Sequence, residues 1–456
     1  MTKLDDQIAQ YRKELKRHPP GDAGRGQALF NLAESLQEIF FETNDIEEIE
    51  EAIGLYRTAL ALRPEGHPDH HSSLHNLAWC LGERYCKQGT LSDLEEALTL
   101  ERAALDLCPE GHSDQFYSLH NLAVCFGDRY RRQSSVADLE ESITFWRAAL
   151  KLHPLVASRF GLTSTLNNLG SELRCRFLKL GSTADLDEAF SLHRSALDLS
   201  SEDHPDRSNS LHSLAACFSS QYDKLASAAD LEEAITLGRA ALELCPSSDS
   251  DYAWTVNNLG YYLRHRFLKL GATADLDEAF SLHRSALNLR PEGHPDQPYS
   301  LYHLATCFSS RYHKQASVAD LEDAITLGRA ALELCPPCHS DRAPALHCLG
   351  LDLRCRFLKL GATSDLDEAL SLHWSALDLR PEGHPDRSDS LHNLATCFSD
   401  RYGKQASTTD LEEAITLGRA ALKLRPPGHS DRASTLYNLG NDLRCRFLEL
   451  RGDFVP

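Results

Sequence analysis

The sequence predicts an all-α solenoid, about twenty helices laid side by side in antiparallel pairs, and three observations predict it. One leucine-type position recurs as Leu29, Leu74, Leu119, Leu166, Leu211, Val256, Leu301, Leu346, Leu391 and Leu436. The step is 45 residues at every interval but one, which is 47 and places a two-residue insertion near His153 to Thr163. In the other half of the unit a small residue keeps the same step, at Ala52, Ala97, Ala234, Ala279, Ala324, Ala369 and Ala414. Apolar residues within each half, such as Ile53, Tyr56 and Leu60, are spaced three and four apart, which is one face of a helix. With such a period each unit touches mainly its neighbours, so residues 1–456 read as a single quasi-linear array of 45-residue units.

The stretch Glu50 to Ala78 shows how one unit is punctuated. A first helix carries Ala52, Tyr56 and Ala59 and stops at Pro64, whose ring fills the turn and which has no N–H to donate. A polar loop holding Gly-His-Pro-Asp follows, and a second helix opens with Leu74, Leu77, Ala78 and Leu81. Residues 1–24 read as half a unit, because Tyr11, Leu15 and Pro19 precede Tyr56, Leu60 and Pro64 by one 45-residue step. At the other end, 434–450 reads as a single capping helix, and 451–456 as a short tail. Units alternate in two flavours, giving a 90-residue super-repeat; residues 275–364 and 365–454 agree at 64 of 90 positions, a mark of duplication. Helix starts are read at Asp230, Asp275 and Asp410, each an expected capping aspartate three residues before a glutamate.

Charge and cysteine usage narrow the function classes. A formal net charge of −20 argues against nucleic acid, whose phosphates demand a basic surface, and against an anionic membrane face. No apolar run approaches the ~20 residues of a membrane span. The start, MTKLDDQIAQYRKELK, has no apolar signal-peptide core, so a soluble cytoplasmic protein is expected. The cysteines repeat by position: Cys80, Cys125, Cys217, Cys307 and Cys397 share one helix site, and Cys175, Cys355 and Cys445 another. Residues one or two units apart lie too far from each other for a disulfide, so reduced thiols are expected.

Catalytic and cofactor readings find little support. Cys335-Pro-Pro-Cys338-His339 has haem-attachment spacing, but neighbouring units carry Gly or Asp at the second cysteine. The loop histidines His67, His112, His204, His294, His339, His384 and His429 come one per unit, which suits loop capping better than a metal cluster. Arg451-Gly452-Asp453 is a chance tripeptide in the tail. There is no phosphate loop, no HExxH and no Ser-His-Asp set, so no enzyme and no cofactor are expected.

The order Ala52, Tyr56, Ala59, Pro64, then Leu74, Leu77, Ala78 resembles the tetratricopeptide repeat (TPR), whose usual period is about 34 residues. The longer units, with His-Pro-Asp ahead of S-L-x-N-L-A, are similar to those of kinesin light chains and of large fungal arrays. The resemblance implies a TPR-like right-handed superhelix whose leucine-type helices line a concave groove for an extended peptide or a helix. The groove position two after the opening leucine holds Asn76, Asn121, Asn168, Asn258, Asn393 and Asn438. An amide supplies one acceptor and two donors, so such a ladder could grip a peptide backbone, although hydrogen bonding within the array is the competing reading. Eight after the leucine stand Arg174, Arg264, Arg354 and Arg444, forks suited to carboxylates, with acidic neighbours as the competing partners. Trp254 and Tyr299 map to the same face as candidate anchors. The lysine that carboxylate-clamping repeats place two before the leucine is replaced by Ser72, Ser164, Asn209, Trp254, Pro344 and Asp389, which disfavours a chain-terminus clamp. The implied function is a non-enzymatic scaffold for a protein or peptide partner, possible acidic character included. The alternative is the sensor array of a caspase-like (CHAT) protease system whose catalytic module is missing from this chain.

Overall fold

The computed structural model describes residues 3–108, 113–152, 159–201, 206–246, 252–294, 296–335, 337, 342–384, 386–429 and 431–451. The second cysteine of the CPPCH stretch, its histidine, His112, His204 and the Gly-Asp of the tail lie outside these. Among the described residues there are twenty α-helices and no strand. The leucine-type helices are α2 (Arg25–Thr43), α4 (His70–Gln88), α6 (Ser113–Gln133), α8 (Arg159–Leu180), α10 (Arg207–Leu225), α12 (Tyr252–Leu270), α14 (Gln297–Gln315), α16 (Arg342–Leu360), α18 (Arg387–Gln405) and α20 (Arg432–Arg451). The helices bearing the small-residue position are α3 (Ile46–Ala61), α5 (Leu91–Leu107), α7 (Val136–Leu152), α9 (Thr183–Leu199), α11 (Ala228–Leu244), α13 (Thr273–Asn288), α15 (Val318–Leu334), α17 (Thr363–Asp378) and α19 (Thr408–Leu424), preceded by α1 (Lys3–Arg17).

From α1 to α7 and from α10 to α20 each helix packs on the next, but unequally. An even helix packs more extensively on the odd helix after it than on the one before it. The structural brick is therefore α2–α3, α4–α5 and so on, and not the proline-ended helix with the leucine helix behind it, as the loop pattern suggested. The reason lies in the connection. Even helices end in a single left-handed residue, Gly181, Gly271 and Gly361 in one flavour and Ala226, Ala316 and Ala406 in the other. One or two residues later the odd helix has begun, which leaves the two helices no room to splay.

The chain groups into two compact units. The first comprises Met1–Glu172 with Ser191–Asp206 and Gly293–Pro295; its core holds Leu32, Leu36, Ile49, Ile53, Leu77, Leu81, Leu94, Leu122 and Phe126. The second comprises Leu173–Phe190, Arg207–Glu292 and Asp296–Pro456, with Leu259, Leu263, Leu276, Leu304, Leu321, Leu353, Leu366 and Leu394 at its centre. The small-residue positions Ala52, Ala97, Ala234, Ala279, Ala324, Ala369 and Ala414 are all fully buried. Close approach of backbones at those points is what excludes a larger side chain.

One arrangement differs from the sequence reading. Asp230, Asp275 and Asp410 do not cap their helices, which begin earlier; Ser227, Ala272 and Ser407 hold the cap positions. The aspartates sit in the first turn, where most of their kind are claimed by an arginine nine residues earlier. Arg266 grips Asp275 through Nε and Nη2, both at 2.8 Å, and Arg401 holds Asp410 at 2.9 and 2.8 Å. Arg84–Asp93, Arg176–Asp185, Arg311–Asp320 and Arg356–Asp365 repeat the two-point latch. Charge-assisted two-point bonds across a half-buried turn outcompete a cap, and they fix the angle between the paired helices.

A second device sets the contact inside each brick. The odd-helix position four after Ala189, Ala279 and Ala369 is occupied by His193, His283 and His373, each fully buried against a glycine of the preceding even helix. A Cβ on Gly170, Gly260 or Gly350 would stand 2.7–2.8 Å from those rings. In the alternate flavour the odd position is Gly238, Gly328 or Gly418, and a leucine of the next even helix (Leu259, Leu349 or Leu439) fills the space. In α3, α5 and α7 the corresponding residues are Tyr56, Glu101 and Trp146, all buried.

Candidate functional site

The even helices also touch one another directly, α12 on α14 most extensively, and α10–α12, α14–α16, α16–α18 and α18–α20 in the same way. Side chains on this even-helix face are therefore brought together across successive bricks. All six expected asparagines are half-buried, and Asn121, Asn258, Asn393 and Asn438 are engaged within the array. Asn121 Nδ2 donates to Glu101 Oε1 at 2.8 Å, and His75 Nδ1 lies 2.9 Å from the same carboxylate. Burial pulls the His75 imidazole down, yet its bond to Glu101 and that residue's charge outweigh burial and raise it. Asn258 Nδ2 lies 3.1 Å from His212 Nε2, and Tyr299 Oη donates to Asn258 Oδ1 at 3.2 Å. His212 can accept because burial, helped by the Arg174 charge, pushes it down to about 4. Asn393 contacts His347 at 3.4 Å, and Asn438 Nδ2 donates to Thr396 Oγ1 at 3.4 Å. Each of these four amides thus ties one even helix to another or to an odd neighbour.

The arginines divide by partner. Arg174 and Arg264 donate to hydroxyls on the following even helix, Ser220 at 3.5 Å and Ser310 at 3.2 Å. Arg354 meets a carboxylate instead, Asp400 at 2.5 Å. Arg444 is exposed. Trp254 and Tyr299 stack at 4.7 Å between ring centroids, with the buried Arg290 guanidinium 4.5 Å above the indole. Both rings thereby face an internal cation.

Three of the expected residues meet in one hollow. Between α16, α18 and α20 a depression of about 310 Å³ is lined by Arg354, His392, Asn393, Thr396, Ser399, Asp400, Asn438 and Asn441. Its wall is amide, hydroxyl, imidazole and one ion pair. Asn76, Asn121 and Asn168 belong to the first unit and do not contribute to it.

Other groups escaped the sequence reading. The buried arginines Arg63, Arg290, Arg380 and Arg425 end odd helices and donate to Ser73, Ser300, Ser390 and Thr435 ten residues later. The Arg-to-Asp spacing of nine and the Arg-to-Ser spacing of ten are visible in the sequence and could have been found as fixed offsets within the period. The expected loop-capping histidines do accept backbone N–H bonds: Asp69 N to His67, Asp386 N to His384 and Asp431 N to His429. The thirteen described cysteines are free thiols, and burial pushes Cys217, for one, up to about 12. Among the described residues no group of three His, Cys, Asp or Glu side chains could hold a metal, and no helix is long and apolar enough to cross a membrane.

A family profile described as tetratricopeptide repeat matches residues 117–154, 162–206 and 253–296. Each match begins in an even helix and runs through the odd helix after it, the same brick that the packing defines. These three segments are tetratricopeptide repeats. No curated protein sequence matches it. Among solved structures, the TPR array is similar to a human IFIT1 dimer with PPP-AAAA (15% identity, 96% of this chain and 94% of that one, TM-score 0.53). Human IFIT1 dimer with m7Gppp-AAAA compares in the same way (15%, 96% and 88%, TM-score 0.54). A signal transduction ATPase with numerous domains from Pyrococcus horikoshii, which has a tetratricopeptide repeat sensor, matches at 13% identity over 92% of this chain and 54% of that one, TM-score 0.50. These likenesses are of fold.

Proposed function

We propose that the protein is a non-enzymatic scaffold that holds a polypeptide segment along the even-helix face. The hollow between α16, α18 and α20 carries this reading, because it gathers Asn393, Asn438 and Arg354 around one open depression. Amides and hydroxyls satisfy backbone N–H and C=O groups whatever the side chains of the guest. The rim is preorganised by hydrogen bonds within the array, so little ordering cost falls on the receptor. Arg174 and Arg264, with hydroxyl partners, and the exposed Arg444 favour polar or acidic guests. The free thiols among the described residues suit the cytoplasm.

Human IFIT1 holds RNA, so RNA is the rival class of guest. The net charge of −20, with Asp223 and Asp400 on the binding face, favours polypeptide, since phosphate binding wants uncompensated basic side chains. Service as the sensor of a separate enzymatic module, a caspase-like protease included, is a second reading, favoured by the likeness to the ATPase with a repeat sensor. The test is selection of 12-residue peptides from a displayed library on the full chain, followed by titration. Asn393→Ala with Asn438→Ala should weaken a selected peptide at least tenfold. An unchanged affinity, or a single-stranded RNA oligonucleotide binding more tightly than every selected peptide, removes the reading.

A further inference from the structure

Among the struts that join successive even helices, one differs in kind. Arg174 and Arg264 reach a hydroxyl on the following even helix, Ser220 and Ser310, but the residue in that place beside Arg354 is Asp400. Arg354 Nε donates to Asp400 Oδ2 at 2.5 Å, and both side chains line the hollow between α16, α18 and α20. Among the described residues no hydrogen bond engages Nη1 or Nη2 of Arg354, or Oδ1 of Asp400. The pair thus offers unspent donors beside an unspent acceptor, and its two charges cancel.

The rest of the wall keeps that balance. Asn393 and Asn438 spend Nδ2 within the array, on His347 and on Thr396, and each leaves Oδ1 as an acceptor. Burial, aided by the Arg425 charge, pulls His392 below the usual histidine range, so its ring is uncharged at neutral pH. Behind Ser399 stands the buried Asp442, which accepts from the Ser399 hydroxyl at 2.6 Å. A carboxylate entering the hollow would meet Asp400 and Asp442 as like charges, and an ammonium would meet the open edge of Arg354.

We propose, resting on the polypeptide reading of this face, that the hollow selects a primary amide, the side chain of a guest Gln or Asn. The Arg354–Asp400 pair is the group that selects it. A primary amide carries its C=O and an N–H side by side, so it accepts from an Arg354 Nη group while donating to Asp400 Oδ1. A guest carboxylate has acceptors alone and sets one of them against Asp400. Guest lysine and arginine have donors alone and set them against the guanidinium. The guest's backbone is no substitute, because a trans peptide group points its N–H and C=O in opposite directions.

The probes are 12-residue peptides selected from a displayed library on the full chain. Each Gln or Asn of the tightest peptide is changed in turn to Glu or Asp, and these twins are titrated against the parent chain, Asp400→Ser and Asp400→Asn. At one position the acidic twin should bind the parent about tenfold more weakly, the cost of a charge set against an unpaired acceptor. Asp400→Ser installs the residue that the array itself sets beside Arg264, and it should shrink or reverse that preference. Asp400→Asn, which keeps the shape and removes the charge, should shrink it too. A purely structural role for Asp400 would weaken both twins together and leave their ratio unchanged, and that result overturns the proposal. So does a peptide that needs Asn393 and Asn438 yet carries no Gln or Asn at which the acidic twin is disfavoured. A library that yields no peptide, or only peptides indifferent to Asn393→Ala with Asn438→Ala, removes the polypeptide reading itself and the amide with it.

Discussion

Helices α16 and α20 carry almost the same residues, LRCRFLKL against LRCRFLEL, yet one is core and the other surface. The difference is what comes next in space: α17 lies on α16, and nothing among the described residues lies on the same face of α20. Burial in such an array belongs to the contact between successive helices and not to the helix, as a chain of nearest-neighbour terms requires. The largest test of this is Phe357→Ala against Phe447→Ala. The first should cost about 3–5 kcal/mol through lost contacts and a cavity, the second less than about 1 kcal/mol. Denaturant midpoints on the two variants check it, and equal losses would break the comparison.

The glycine notches sharpen it. Gly350→Leu must displace the His373 ring, which is enclosed and 0% exposed, at a cost of about 1–3 kcal/mol or more. Adding His373→Ala to that variant should restore part of the loss, giving a coupling energy that a double-mutant cycle measures. Gly440→Leu should be close to neutral by the same measurement.

The two helices should also differ in pH response. Asp352 of α16 is buried, accepts from Ser309 Oγ at 2.8 Å, and burial pushes its carboxyl up to about 7. A carboxyl raised in the folded state contributes stability that is fully present below the usual aspartate range and is lost as pH rises through about 7. Asp352→Asn should therefore gain on the parent between pH 4 and pH 8, read as a growing difference in Tm. The buried imidazoles run the other way. His283 and His373, pushed down to about 3 by burial and neighbouring positive charge, contribute stability above the usual histidine range that is lost as pH falls toward 3. A flat Tm difference for Asp352→Asn would mean that the carboxylate stays ionised in the folded chain. Asp442 of α20 is raised in the same direction, by burial against a weaker enclosure.

Much of the fold was legible in the chain because the signal is periodic. The 45-residue step in Leu29 to Leu436, the buried alanines and the proline stops are local and repeat often enough to be unmistakable. The pairing within a brick was less legible. Pro64 and the His-Pro-Asp loop are conspicuous, whereas the tighter turn is marked by a lone Gly181 or Ala226, whose left-handed φ is a property of the backbone. The aspartates at Asp230 and Asp275 were ambiguous for a similar reason: an Asp-x-x-Glu run fits a cap, and only the nine-residue offset to an arginine assigns it to a latch. At the candidate site, the sequence read the asparagines and arginines onto the leucine-type helices, where they lie. It did not reveal their partners, since His212, His347 and Asp400 lie 46 residues from the groups they meet, one brick away in space.

The smallest expected effect separates Gly440 from its three counterparts most cleanly. In the interior of a helix, glycine costs about 0.5–1 kcal/mol relative to alanine through backbone entropy. At Gly170, Gly260 and Gly350 that cost is offset by the imidazole the bare backbone admits, so Gly350→Ala should destabilise despite its better propensity. At Gly440 no ring is present, and Gly440→Ala should stabilise by about 0.5–1 kcal/mol, within reach of careful denaturant titration. A loss at Gly440 would show that something already occupies the notch in the free chain. A gain would show that the notch at Gly440 is empty in the free chain, so that glycine there costs stability with no ring to offset it.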